Sequence, residues 1–137
     1  MKNCVLDASA ILRFIEDGPG AVRVEELILQ AQSGAPRILL SAVNWGEVHY
    51  VIARRQSEEK AASFSVQFRN LPIEIIAVDH RGAERAGMFR RKFSLPYADA
   101  FAASLAAREG ATLVTADYDF KNVENAIRVE FLPANPR

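Results

Sequence analysis

The sequence predicts one α/β domain over residues 1–137, with a mainly parallel central sheet of about four to five strands and helices on both faces. Two observations lead to this fold class. Segments with the apolar spacing of helices alternate with short, continuously apolar runs, which is typical of strands buried on both sides. In addition, a chain of 137 residues is the usual size of a domain with one hydrophobic core.

The strands are predicted where short, largely apolar runs lie between turn signals. These runs are residues 3–7, 37–41, 73–78, 111–115 and, as an edge strand, 127–131. The helices are predicted from apolar residues three and four positions apart. They cover residues 8–16, 21–32, 43–55, 58–70, 79–92 and 94–110. Asp79 is a suitable N-cap for the fifth helix, and Pro96 suits the first turn of the sixth.

Composition narrows the class of protein. The sequence has 17 lysines and arginines and 17 aspartates and glutamates, so its net charge gives no sign of a nucleic-acid partner. A single cysteine excludes an internal disulfide and a multi-cysteine zinc site. The sequence shows no signal-peptide pattern and no membrane-spanning stretch, and we therefore expect a cytoplasmic protein without a membrane partner.

Carboxylates occupy unusual positions in this pattern. Asp7 ends the first apolar run, Asp117 follows the fourth strand, and Glu47 and Asp99 lie on helices. Desolvating a carboxylate is costly unless a partner compensates its charge, and a hard divalent cation prefers oxygen ligands. Ligands of open α/β sheets bind beyond the carboxyl ends of the strands, so Asp7 and Asp117 are expected at one site. The sequence therefore predicts a metal-dependent active site.

Helical spacing brings the other two acids toward this edge. Glu47 shares a predicted inward-facing stripe with three residues, namely Val43, Tyr50 and Val51. Asp99 aligns with small residues that allow close packing on the sheet, namely Ala102, Ala103 and Ala106. Each acid also has an ordinary interpretation: Asp7 as an N-cap, Asp117 as a turn residue, Glu47 as a solvent-exposed side chain and Asp99 as a favourable charge in a first turn.

Four segments in order resemble the PIN-domain family, and more narrowly its VapC-like toxins: Leu6-Asp7-Ala8-Ser9-Ala10, Ser41 to Glu47, Leu95 to Ala100 and Val114-Thr115-Ala116-Asp117. The resemblance covers nearly the whole chain. It implies a Mg²⁺- or Mn²⁺-dependent endoribonuclease of a VapBC-type toxin–antitoxin system. The family's catalytic acids correspond to Asp7, Glu47, Asp99 and Asp117. Ala116 departs from the family pattern, since many relatives have glycine there.

The resemblance also implies roles for the site residues. Asp7, Asp99 and Asp117 would hold the first ion, and Glu47 would complete the pocket or serve a second ion. Ser9 and Thr115 are candidate outer hydroxyls, although capping explains them equally well, and Asp119 is a candidate outer carboxylate. One or two divalent ions would activate a water molecule for phosphodiester hydrolysis. By resemblance, cleavage would leave a 5′-phosphate and a 3′-hydroxyl.

Candidate RNA contacts come from cations before the Asp99 helix: Arg81, Arg85, Arg90, Arg91 and Lys92. They could bind phosphates, or they could simply be a solvated helix end. Tyr97 and Phe93 could stack on bases or belong to the core. Cys4, His49 and His80 are interpreted as structural residues.

The partners expected from the resemblance are an RNA substrate, a cognate VapB-like antitoxin on the helices of residues 21–70, and a second copy in a homodimer. Two other functions stay open. One is a phosphatase with an aspartyl-phosphate intermediate at Asp7, although Ser9 stands where such enzymes have a second aspartate. The other is a catalytically silent PIN-like module that binds RNA or protein.

Overall fold

The computed structural model describes residues 2–134 and shows strands and helices in regular alternation. The five strands of this region are β1 (Cys4–Leu6), β2 (Ile38–Ser41), β3 (Ile73–Ile76), β4 (Thr112–Thr115) and β5 (Val129–Phe131). The α-helices are α1 (Ala8–Ile15), α2 (Ala21–Ala31), α3 (Ala42–Arg55), α4 (Glu58–Phe68), α5 (His80–Phe93) and α6 (Tyr97–Glu109). A 3-10 helix, Tyr118–Val123, follows β4.

All five strands of the described sheet are parallel, in the order β3-β2-β1-β4-β5. The order reverses at β1, because β2 and β3 extend the sheet on one side and β4 and β5 on the other. Leu6 pairs with Val114, so β1 and β4 end side by side. The residues that follow these two strands, Asp7 and Asp117, therefore emerge at the same point of the carboxyl edge.

Each face of the sheet buries its own apolar layer, which confirms the predicted α/β fold. Alternating side chains of a strand point to opposite faces. Leu6 and Leu40 thus pack with α1 to α4, whereas Val5 and Leu39 pack with α5, α6 and the 3-10 helix. These four side chains are fully buried.

Helix α6 is covered on nearly all sides. Its buried residues run without a gap from Asp99 to Ala106. Ala102 and Ala103 are fully buried, because alanine lets the helix approach the sheet and α5 closely. Arg108, nine residues after Asp99 and therefore about half a turn away around the helix, is exposed. This enclosure holds Asp99, in the first turn, in a fixed position.

The helix boundaries before α6 differ from the prediction. Ser94 takes a left-handed conformation (φ 55°) and ends α5 instead of beginning the next helix. Pro96 is extended (ψ 150°) and occupies the N-cap position of α6, so it lies one residue before the predicted first turn. Strand β3 is also shorter than the predicted third strand, because Ala77 and Val78 lie outside the sheet. The 3-10 helix after β4 was not predicted.

The predicted stripe of α3 is wrong in its rotation. The buried residues of α3 are Asn44, Val48 and Ile52, which are spaced four apart. Tyr50, which was predicted on the inward stripe with Glu47, is 63% exposed. Glu47 instead borders the buried stripe and is half-buried. It reaches the carboxyl edge of the sheet because it lies near the start of the helix.

We predict that Ala103→Leu destabilises the fold, because the added carbons have no space between α6 and the sheet. The free energy of unfolding should fall by roughly 1–3 kcal/mol, measured by urea denaturation. Ala107→Leu is the matched control, since Ala107 is exposed on the same helix. Equal urea midpoints for the two variants would contradict the close packing of α6.

Candidate metal centre

Asp7 is the most enclosed carboxylate of the candidate site, with 2% of its surface exposed. Its Oδ1 accepts hydrogen bonds from the Ser9 hydroxyl (2.7 Å) and the Ala10 amide (2.9 Å), and its Oδ2 accepts one from the Thr115 hydroxyl (2.6 Å). Asp7 therefore is the N-cap of α1, as its ordinary interpretation predicts. Burial raises its pKa to about 6, although the three hydrogen bonds oppose the increase.

The hydroxyl groups of Ser9 and Thr115 connect α1 to the end of β4. Besides donating to Asp7, the Ser9 oxygen accepts the amide of Ala116 (2.8 Å) and the Thr115 oxygen accepts the amide of Asp117 (2.9 Å). The two oxygens lie 3.2 Å apart. Both predicted hydroxyls thus contact the Asp7 carboxylate, and they also hold the backbone that carries Asp117.

Asp99 has the most strongly perturbed carboxyl group of the site. Its pKa is raised to about 8, first by burial and then by its hydrogen-bonding contact with the Asp117 carboxyl group. The negative charges of the neighbouring site carboxylates raise it further. Among the described residues, its buried Oδ2 has no hydrogen-bond partner. A buried acceptor without a partner is costly, and a bound cation would compensate it.

The carboxylates of Asp99, Asp117 and Asp119 form the tightest acidic cluster, with one oxygen of each within 4.8 Å of the others. Asp117 also caps the 3-10 helix, because its Oδ1 accepts the Asp119 amide at 2.9 Å. This turn directs Asp119 toward the same space. The predicted metal-binding set has Asp7 in place of Asp119, which was predicted as an outer carboxylate. Asp7 lies close enough for its charge to raise the pKa of Asp99.

Glu47 is held beside this cluster by Asn44, a residue that the sequence interpretation missed. The fully buried Asn44 amide donates to Glu47 Oε1 (2.8 Å) and to the Ala98 carbonyl (3.2 Å), so it connects α3 with the start of α6. Its Oδ1 is buried without a partner among the described residues. The three-residue spacing of Asn44 and Glu47 on one helix was the signal that could have identified it.

No lysine, arginine or histidine within residues 2–134 forms an ion pair with these acids. The donor set fits a hard divalent cation, because it consists of carboxylate oxygens and includes a buried oxygen without a partner. Such an arrangement of oxygens can hold a divalent cation at the point where the strand order reverses.

The predicted cations spread along exposed positions of α5. Arg81 and Arg85 lie beside His80 and Met88 near the start of the helix. Arg90 lies at its other end and lines an open groove that Asp119 also lines. Arg91 and Lys92 are exposed near this end, with the Lys92 ammonium over the Phe93 ring. Of these five cations, Arg90 is the one that shares an open groove of the described chain with an acid of the cluster.

The residues interpreted as structural lie away from the acids. Cys4 is buried in β1, and burial raises its pKa to about 11, so the thiol is not activated. His49 contacts the Trp45 carbonyl (3.1 Å) and the Ser65 hydroxyl, between α3 and α4. His80 is exposed in the first turn of α5. Tyr97 is 51% exposed at the start of α6, whereas Phe93 packs partly against the core.

Comparison with known proteins identifies the family of this fold. The model of the PIN domain matches residues 4–126, which include every acid described above. The chain therefore belongs to the PIN-domain family, and the resemblance stated from its motifs is confirmed. The search of curated proteins found no significant match.

The structural neighbours are VapC-type toxins and toxin–antitoxin complexes. A chain of VapBC2 from Rickettsia felis, solved with a promoter DNA fragment, has a TM-score of 0.74 and 24% identity over 95% of this chain and 98% of its own. VapC20 from Mycobacterium tuberculosis, a Sarcin-Ricin loop cleaving toxin, has a TM-score of 0.69 and 15% identity, covering 98% and 100%. DNA-bound VapBC from Salmonella typhimurium has a TM-score of 0.69 and 19% identity, over 96% of this chain and 98% of its own.

These identities are low, and the likeness is one of fold. It agrees with the predicted VapC-like architecture of a parallel sheet between helices. Within residues 2–134, the helices are too short or too polar to cross a lipid bilayer.

We predict that the metal-free protein loses stability as the pH rises from about 5 to about 8.5. The pKa values of Asp7 and Asp99, about 6 and about 8, exceed the ordinary value of 3.8. The folded chain thus binds more protons than the unfolded chain in this range, and the free energy of unfolding decreases with rising pH. Thermal melts in the presence of chelator will show this decrease as a fall in melting temperature with rising pH. Mn²⁺ should raise the melting temperature more at pH 8 than at pH 5, because the ligands must be ionised.

Asp99→Asn should remove most of the loss of stability above pH 6. It should also remove most of the increase in melting temperature that Mn²⁺ causes. The control is Asp17→Asn, at an exposed turn position whose positive φ of 52° asparagine tolerates. Equal pH profiles for the wild type and Asp99→Asn would contradict the buried, ionisable state of Asp99.

Proposed function

We propose that this chain is a metal-dependent endoribonuclease and the toxin of a VapBC-type toxin–antitoxin module. The observation that carries the proposal is the Asp99 carboxylate, which is buried among other acids with one oxygen lacking a partner in the described structure. Such an arrangement is unfavourable by itself, and it becomes favourable when a divalent cation binds. Membership in the PIN-domain family and the VapC-type structural neighbours support the nuclease assignment.

In this proposal, Asp99 and Asp117 hold Mg²⁺ or Mn²⁺ together with Asp7 or Asp119. The bound ion would supply a water nucleophile of lowered pKa and would offset charge on the leaving oxygen. Glu47, held by Asn44, completes the pocket on the α3 side or serves a second ion. Because Mg²⁺ retains several waters, the acids contact it directly or through water. The products expected from the family resemblance carry a 5′-phosphate and a 3′-hydroxyl.

Neighbouring protein groups hold the acids in fixed positions. Asp7 cannot rotate freely, because three hydrogen bonds occupy its two oxygens. Ser9 and Thr115 keep the ends of β1 and β4 together through the same contacts. The enclosed part of α6, which begins at Asp99, fixes this carboxylate against the open space in front of Asp117 and Asp119. This rigidity provides the orientation that an in-line displacement requires.

The remaining partners follow from the same proposal. Several structural neighbours are described as toxin–antitoxin complexes, and we propose a VapB-like antitoxin for this chain too, bound on the helices of residues 21–70. RNA is the proposed substrate, with α5 cations contacting phosphates. A homodimer and a cytoplasmic location complete the proposal. The antitoxin and the dimer rest on family resemblance.

Two alternative functions make different demands on the site. A phosphatase that forms an aspartyl phosphate at Asp7 needs a free carboxylate oxygen, whereas Ser9, Ala10 and Thr115 donate hydrogen bonds to both. A silent PIN-like module needs no ion. Retention of the buried, repelling acids is energetically costly, and this cost favours a catalytic site over a silent one.

We predict that the purified protein cleaves single-stranded RNA with Mg²⁺ or Mn²⁺ and that excess chelator abolishes cleavage. Asp99→Asn and Asp117→Asn should each lower the rate at least about 100-fold, because each removes an anionic oxygen from the proposed ion site. Rates are measured by gel electrophoresis of labelled RNA under single-turnover conditions.

Glu25→Gln is the control for this experiment. Glu25 is exposed on α2, away from the acids, so this variant should cleave RNA at the wild-type rate. Cleavage that persists in chelator would rule out the metal-dependent mechanism. A covalent phosphate on Asp7 would favour the phosphatase, and saturable Mn²⁺ binding without cleavage of any RNA would favour a silent module.

A further inference from the structure

We propose that the groove between the α5–α6 connection and the 3-10 helix binds a phosphate of the RNA strand next to the cleaved one, with Arg90 as its cation. This inference rests on the proposed nuclease function. It assigns the path of the substrate on one side of the acidic cluster, and it separates Arg90 from the other cations of α5.

The groove adjoins the proposed reaction site. It is lined by Arg90, Ser94, Leu95, Pro96, Asp119 and Asn122. Asp119 is also one of the three clustered carboxylates, so a strand whose scissile phosphate lies at the cluster must pass close to this groove. The lining offers hydrogen-bond donors from Arg90, Ser94 and Asn122, which are suitable for phosphate oxygens.

Arg90 is held in place and keeps its charge available. Its Nη1 donates to the Leu95 carbonyl at 3.3 Å, and both Arg90 and Leu95 line the groove. No carboxylate within residues 2–134 pairs with it, and this carbonyl is its one hydrogen-bond partner there. A guanidinium has five N–H donors, so most of them remain for a phosphate.

The groove on the other side of the cluster is less suited to a phosphate. Asp117 lines it together with Ser9, Arg13, Glu16 and Arg55. The Arg55 Nη1 bonds both oxygens of Glu16 at 2.7 Å, and the Arg13 Nη1 bonds the Pro19 and Pro133 carbonyls at 2.7 and 2.8 Å. Both cations there already have protein partners, so the Arg90 side offers the freer positive charge.

The cations at the start of α5 are too far from the cluster to serve the same phosphate. Arg81 is nine residues before Arg90, about 13 Å along a helix. Arg81 and Arg85 line a separate groove with His80, Glu84 and Met88. The matched control is Arg128, an exposed arginine that directly precedes β5 and therefore lies at the edge of the sheet opposite the acids.

The test compares Arg90→Gln with Arg128→Gln in cleavage of a short single-stranded RNA. Glutamine at position 90 keeps a donor for the Leu95 carbonyl and removes the charge. We expect Arg90→Gln to raise KM roughly five- to tenfold with kcat within about twofold, and to reduce the slope of log KM against log salt by about 1. Arg128→Gln should behave like the wild type, and Arg90→Lys should recover part of the loss.

A substrate change identifies the phosphate. Single phosphates of the RNA are replaced in turn by uncharged methylphosphonates. At one flanking position, this replacement should make the KM values of the wild type and Arg90→Gln equal. Binding of Mn²⁺ alone should be unchanged in Arg90→Gln, which separates this role from the ion site. Equal KM values for the two glutamine variants, or a loss confined to kcat, would overturn the inference while leaving the nuclease intact. Absence of RNA cleavage by the wild type would overturn the nuclease proposal and, with it, this assignment.

Discussion

Mutual repulsion among buried acids is the constraint on which this structure depends. Parallel pairing of β1 and β4 places Asp7 and Asp117 side by side, and the enclosed helix α6 brings Asp99 to them. Within the described residues no cationic side chain neutralises the group. Hydrogen bonds from Ser9 and Thr115 stabilise the Asp7 carboxylate, yet the pKa of Asp99 still rises to about 8. The fold thus maintains a strongly electronegative site at the cost of stability.

The sequence was sufficient to predict those parts of the fold that follow from local periodicity. Apolar runs predicted β1, β2 and β4, because both faces of the sheet are covered there and these strands are almost entirely buried. The edge strands β3 and β5 are only partly buried. Asp7 and Asp117 could be placed for the same reason: a residue that directly follows a parallel strand lies at the carboxyl edge. Asp99 was predictable from the alanines of α6, which are small enough for close packing and were found buried.

Other parts of the site depend on tertiary packing that local patterns do not encode. The rotation of α3 was predicted wrongly, because Asn44 is buried at the site while the apolar Tyr50 faces outward. A polar residue enters the buried stripe here because its amide connects Glu47 to the α6 backbone. The approach of Asp119 to the cluster depends on the turn capped by Asp117. That turn belongs to the 3-10 helix. This helix was not predicted, because its amide-to-carboxylate hydrogen bonds produce no apolar periodicity in the sequence.

The most direct test of the account is a crystal structure of the protein soaked in Mn²⁺ near pH 8, with anomalous scattering to locate the ion. We expect an anomalous peak within coordination distance of Asp99 and Asp117, with the buried Asp99 Oδ2 as a ligand or bonded to a metal-bound water. A well-ordered site at saturating Mn²⁺ without such a peak would contradict it. So would an arginine or lysine that pairs with Asp99 in place of the ion.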